Sequence, residues 1–324
     1  MSGAAPSGSE GQGSEGSEEA RMSLEEFDDL FDALSPWRRG QDVAEAGRLA
    51  GRGPADLLTA LGAVTRGEAV SLALPLNREA APDNPRPALH HMVDLGDVEA
   101  PEPSAHKDFL GLDYHGKAVT HLDALCHVGY RGQLFGGVAS TEAFSSLGST
   151  WGSVTTLTSG IFVRGVLYDV ARVRGVEWLE PREAVHADEL LAVEEALGAK
   201  AGPGDALLVR SGHPLRRSRL GAWDSEAASA GLHVDTMRLI ADRGVAVLGA
   251  DGDSDIRPSP VDGVHSPIHA LALTGLGIVL LDNLDLEALS AACAAHGQYE
   301  FLLVVAPLVV PRGTGSPVNP IAVL

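Results

Sequence analysis

The chain has 324 residues, 44% hydrophobic and 21% charged, which is ordinary globular usage and enough length to bury one large core or two modest ones. Forty-four acidic against 24 basic side chains give a formal net charge of -20, which would repel a nucleic-acid backbone or an anionic membrane and argues against both as partners. Two cysteines, Cys126 and Cys293, make no disulfide framework, the start lacks a signal-peptide pattern, and no apolar run reaches the roughly 20 residues of a membrane helix, so a cytoplasmic protein is expected.

Residues 1–20, mostly Gly, Ser and Glu, are expected to be a disordered tail, with a single domain over 21–324. Leu24, Phe27, Leu30, Phe31 and Leu34 recur at helical spacing behind Ser23, with Glu26 three residues on, which predicts a capped helix. Helical patterns follow at 42–49 and at 54–64, the latter opened by Pro54. Residues 69–74 read as a strand, and the Pro-rich stretches 82–87 and 101–103 as loops. Strands are expected at 160–170, 206–210, 245–248, 277–281 and 301–305. Helices are expected at 188–197, 234–242, 268–274 (ended by Gly275) and 286–295. Such alternation predicts an α/β or mixed α+β fold, its sheet covered by helices.

Residues 115–127, HGKAVTHLDALCH, concentrate three of the 12 histidines and a carboxylate. Imidazole and carboxylate form the ligand set of Zn²⁺ or Mn²⁺. His121 and Asp123 lie two apart, so in an extended segment both project to one side and can share an ion. A helix begun after Asp123 would set His127 one turn on, in reach of a metal-bound water. The same residues also suit a polar helix cap with His127 hydrogen-bonded, and spacing alone does not decide.

Thr120-His121-Leu122-Asp123-Ala124, followed by His127, resembles the H-x-G-T-H-x-D-A-x-x-H signature of the cyclase family, metal-dependent hydrolases that include kynurenine formamidase and isatin hydrolase. The resemblance covers most of the chain after about residue 65: PGDALLVRSG at 203–212, His269 with the run to Gly277 and LDNL at 281–284, and GTGSPVN at 313–319 are similar to further family blocks. THLDALCH and DGDSD are similar to a longer bacterial branch. The resemblance implies a swivelling β/β/α-type single domain, a divalent metal (Zn or Mn) and a homo-oligomer. It also implies metal ligands His121, Asp123, His269 and Asp282, with His127 as general acid/base.

Two positions depart from that pattern. Lys117 stands where the family has its first histidine, and a protonated lysine has no lone pair for a metal, so His115 is expected as a substrate-binding residue or additional ligand. Asp282 replaces the usual Glu and lies one residue farther from His269, which leaves the choice between one ion and two open.

The expected activity is hydrolysis of a C–N bond in a small-molecule substrate, an aryl formamide, amide or lactam, by metal-activated water. The alternatives are a cyclase or dehydratase of secondary metabolism, and a non-catalytic binding homologue, for which Lys117 speaks. Asp251, Asp253 and Asp255 begin a calcium-loop pattern but have Ile256 where it needs Gly, so they read as a turn or a contact to the site. His90 and His91 read as surface or packing residues, Cys126 as a small buried hydrophobe, Trp178 and Trp223 as packing, and 313–315 as a lid.

Overall fold

The computed structural model describes residues 21–96 and 103–324. The expected tail at 1–20, and most of the loop expected at 101–103, lie outside the described residues. Helix α1 (Leu24–Leu34) forms where its pattern places it: Ser23 Oγ accepts from the Glu26 N–H at 3.2 Å and Glu26 accepts from the Ser23 N–H at 2.8 Å. Its buried face, Phe27 and Phe31, packs on Tyr130 with ring centroids 5.4 and 4.8 Å apart.

The helix expected at 42–49 does not form. Only Gly47–Leu49 make a 3-10 turn, because Gly47 adopts φ 59° and the Arg48 N–H donates to the Gly277 carbonyl at 2.8 Å. A tertiary contact there overrides local periodicity. Helix α2 (Pro54–Leu61) starts at its proline but stops at Gly62.

Apart from four two-residue strands among the described residues, the strands are β1 (Ala69–Ser71), β2 (Leu89–Leu95), β3 (His106–Gly111), β4 (His121–Asp123), β5 (Ile161–Asp169), β6 (Ala206–Arg210), β7 (Val247–Ala250), β8 (Val279–Asp282), β9 (Glu300–Val305), β10 (Gly315–Pro317) and β11 (Ile321–Val323). Nine of them form one sheet in the order β1-β11-β9-β5-β6-β7-β8-β4-β10. Strands β5 to β8 run parallel, and those outside them pair antiparallel. Buried runs such as Ala206–Arg210 and Val279–Asp282 follow from the cover a parallel sheet needs on both faces.

Helices α3 (Ala187–Leu197), α5 (Thr236–Arg243), α6 (Pro267–His269, continued by a π-helical stretch Ala270–Leu276) and α7 (Glu287–His296) fall where helices were expected, and α4 (His213–Leu220) was not anticipated. Among the described residues no helix is long and apolar enough to cross a membrane.

Several boundaries differ from expectation. The strand at 69–74 pairs only over Ala69–Ser71. Gly277, at φ 68°, ends the helix expected to stop at Gly275, which lies inside the π-helical stretch. The β2–β3 hairpin and strands β10 and β11 were not anticipated, since their short segments carry weak period-two patterns and acquire strand character from pairing. The pairing that matters most is β4 between β8 and β10, which sets His121 opposite Asp282 and Asp123 opposite Gly315.

Candidate metal centre

His121 and Asp123 leave β4 on the same side, as their spacing requires, and both are buried. The His121 Nδ1–H donates to the Val119 carbonyl at 2.8 Å, which turns Nε2 toward Asp123 Oδ1, 3.4 Å away. After Asp123 the chain makes a turn, not the expected helix: the Ala124 N–H donates to Thr314 O, and the Cys126 N–H to Gly152 O. That turn, closed by the His127 N–H on Ala124 O at 2.8 Å, still brings His127 Nε2 to 3.8 Å from Asp123 Oδ2.

His115 stacks on His127 with centroids 3.8 Å apart and planes within 4°. Its Nε2 is 2.9 Å from Thr314 Oγ1, and its Nδ1 is 2.8 Å from Asp123 Oδ1 without the alignment of a hydrogen bond. From the opposite wall, His269 in α6 has Nδ1 2.6 Å from Asp255 Oδ2, so its Nε2 faces Asp123 Oδ2 at 3.6 Å and Asp282 Oδ2 at 3.2 Å. The other Asp282 oxygen accepts from Ser254 Oγ at 2.7 Å.

Two three-residue groups share Asp123, His115/His121/Asp123 and Asp123/His269/Asp282, each with ligand atoms within 4.8 Å of one another, and a third, Asp253/Asp255/His269, adjoins them through His269. Asp123 is 1% exposed, yet neither of its carboxylate oxygens, nor His115 Nδ1, has a hydrogen-bond partner. A buried charge with idle lone pairs is costly unless a cation takes them, so this donor set fits a divalent metal. The cavity here measures about 160 Å³.

Electrostatics divide the roles. Burial opposes the Asp123 charge, but His121, His115, His127 and His269 outweigh it and hold the carboxyl well below its usual range. Burial pulls His127 down to about 4, so near pH 7 its ring is neutral with a lone pair to offer. Burial likewise opposes a charge on His269, but Asp255, Asp282 and Asp253 raise its pKa well above the ordinary value, so a proton and a metal compete for it.

Lys117 belongs to none of these groups. Its Nζ bonds Asp253 and lies 3.0 Å from Glu226, and although burial works against the charge, Asp253 outweighs it and keeps the ammonium protonated. His115, not Lys117, stands with His121 and Asp123.

Asp253 and Asp255 make the contact to the site that the sequence reading preferred over a calcium loop. Asp251 accepts from the Ser211 and Gly212 N–H groups at 2.8 and 2.7 Å, Asp253 holds Lys117 and Arg257, and Asp255 orients His269. Their signal was spacing by two after a strand, not the calcium-loop register. Thr314 was not singled out as a site residue, and residues 313–315, expected as a lid, enter the sheet through Gly315 opposite Asp123. Burial pushes the Cys126 thiol up to about 11, as suits an inert small hydrophobe. Trp223 packs on His213 at 4.5 Å, and His91 on Phe109 at 5.1 Å. A further grouping, His186, His233 and Asp235, lies outside this cavity, where Asp235 also accepts from the Ala187 N–H of α3 at 3.2 Å.

The Cyclase family model matches residues 70–254. A solved structure described as a novel cyclase is 27% identical, with a TM-score of 0.78 over 91% of this chain and 99% of its own. Isatin hydrolase A from Ralstonia solanacearum is 21% identical, with a TM-score of 0.58 over 84% of this chain and 98% of its own. An isatin hydrolase bound to the product analogue thioisatinate is 20% identical, with a TM-score of 0.57 over 84% and 99%. At those identities the two isatin hydrolases show likeness of fold alone. No curated protein matches the sequence.

Proposed function

The chain belongs to the cyclase family, and from that premise we propose that it is a divalent-metal-dependent hydrolase of a C–N bond in an aryl formamide, amide or lactam. The observation that carries this reading is the Asp123 carboxylate, buried, ionised and without a hydrogen bond among His115, His121, His127 and His269. Support for the lactam comes from the isatin hydrolases of like fold, whose named substrate is a cyclic lactam.

His115, His121 and Asp123 would hold the ion, with His269 and Asp282 as further ligands on the far side of Asp123. When bound, a divalent ion polarises a carbonyl and acidifies water, the chemistry that Zn²⁺ and Mn²⁺ share here. Asp123 contributes a permanent negative charge, and Val119 O and Asp255 fix which nitrogens of His121 and His269 face it. Neutral His127, held flat against His115, can take a proton at Nε2 and return it to the leaving nitrogen. Arg210 takes no part, since it is bound to Asp169 at 2.8 Å and Glu287 at 2.7 Å.

The test combines elemental analysis of the purified chain with a panel of formanilide, small amides and isatin before and after chelation. We expect bound Zn or Mn and hydrolysis of at least one panel member, lost with the metal and regained on its return. A chain that comes out metal-free, takes up no metal and cleaves nothing would end this reading in favour of the binding homologue.

A further inference from the structure

Lys117 borders three cavities: the one of about 160 Å³ that contains the His/Asp cluster, a neighbouring one of about 450 Å³ walled on its apolar side by Leu74, Pro75, Leu76, Ala118 and Pro214, and a small one of about 40 Å³ beside Asp83 and Arg86. Its ammonium is shared between Asp253 and Glu226. Asp253 has little need of it, because Arg257 already reaches the same oxygen with Nε at 3.1 Å and Nη2 at 2.8 Å. Two cations therefore converge on one buried carboxylate, and Glu226 supplies the charge that balances them.

The two acidic partners differ in kind. The Asp253 side chain is 1% exposed, whereas that of Glu226 is 53% exposed, and its other oxygen meets the exposed ring of His265 at 3.1 Å. Trp223 Nε1 donates to the Ala228 carbonyl at 2.8 Å, so the loop is braced on either side of Glu226 while the carboxylate itself is open to water. An exposed ion pair contributes little, and when Glu226 leaves, the largely buried ammonium keeps Asp253 but must share that one carboxylate with Arg257, which is costly. Glu226 is thus easily replaced, provided another anion takes its place.

We propose that Lys117 is an anion-binding subsite beside the metal centre, that Glu226 fills it in the ligand-free chain, and that a carboxylate on the substrate displaces Glu226. The substrate class is then an amide or lactam carrying a carboxylate, with its apolar body in the larger cavity. The proposal rests on the hydrolase reading, since Asp123 and Asp282 would repel an anion unless a divalent ion offsets them. It also gives Lys117 a task at a position where a metal ligand was expected.

The test is calorimetric binding of benzoate and its neutral isostere benzamide to the full metal-loaded chain. Lys117→Met should weaken benzoate by about tenfold or more and leave benzamide unchanged, since only the anion loses a charged partner. Glu226→Gln, an exposed change that leaves folding intact, should tighten benzoate by about threefold or more as the competing carboxylate disappears. Benzoate affinity unmoved by Glu226→Gln, or weakened by it, overturns the proposal even if Lys117→Met fails to fold.

Hydrolysis of formanilide and of formanilide with a ring carboxylate separates this proposal from the reading beneath it. Cleavage of neither these two nor any amide or lactam of the panel, with benzoate binding still dependent on Lys117, ends the hydrolase reading and keeps the subsite. Equal kcat/KM for both, with benzoate binding indifferent to both substitutions, does the reverse.

Discussion

Asp123 and His127 are four positions apart and are driven in opposite directions by the same burial. Asp123 remains an anion because four imidazoles surround it, while His127, with only one carboxylate near, is held neutral at physiological pH. His127→Ala should therefore keep the bound metal, measured by elemental analysis, and lower kcat by about a hundredfold or more, as for loss of a general acid/base. Unchanged turnover would remove His127 from that role. At this scale the spacing of His121, Asp123 and His127 marked a candidate, because spacing is local geometry, and the family resemblance preferred ligands over a helix cap. His269 and Asp282 were legible only through family resemblance, since sheet register and the entry of α6 carry them in from about 150 residues away. Asp255 was legible as a contact to the site, but its pairing with His269 was not, since only the fold brings the two together.

The π-helical stretch Ala270–Leu276 is the element that joins site and core. Its residues are buried throughout, Thr274 Oγ1 donates to the Val128 carbonyl at 2.7 Å, and the Trp37 indole donates to the Thr274 carbonyl at 2.9 Å. Gly277 closes it at φ 68°, where a Cβ would lie 2.5 Å from the Phe135 ring and 3.0 Å from the Gly47 Cα. Gly277→Ala should destabilise the chain by at least about 2 kcal/mol in urea unfolding, combining a left-handed backbone with overpacking. A change below about 0.5 kcal/mol would show that the closure relaxes. The sequence marked a glycine stop here and chose Gly275, because only packing against Phe135 and Gly47 distinguishes the two glycines.

For the whole molecule, the centre draws on β4, β8, α6 and the segment after β7, so a bound ion ties together parts far apart in the chain. At about a hundred times its Kd a ligand specific to the folded state adds about 2.7 kcal/mol, enough to raise Tm by several degrees. Zn²⁺ or Mn²⁺ should produce that shift in the native sequence and not in Asp123→Ala, measured by differential scanning fluorimetry. Equal shifts in both would place the binding elsewhere. The expected homo-oligomer should give a light-scattering mass that is a multiple of 33.6 kDa. Leu89, Val93, Leu95 and Leu110, left exposed by β2 and β3, are the surface we expect to become covered, and a mass of 33.6 kDa would remove that expectation.

The sequence by itself determined what local chemistry can encode. The capping box of α1, the apolar runs that become β5 to β9 and the two-residue spacing of His121 and Asp123 depend only on neighbours along the chain. Tertiary structure decided what depends on register and packing: the turn in place of a helix after Asp123, Asp282 opposite His121, His115 beside Asp123, and the turning of Lys117 toward Asp253 and Glu226. The physical reason is that a side chain's charge partners are set by which strands and loops meet, and long-range pairing leaves little trace in the residues on either side of it.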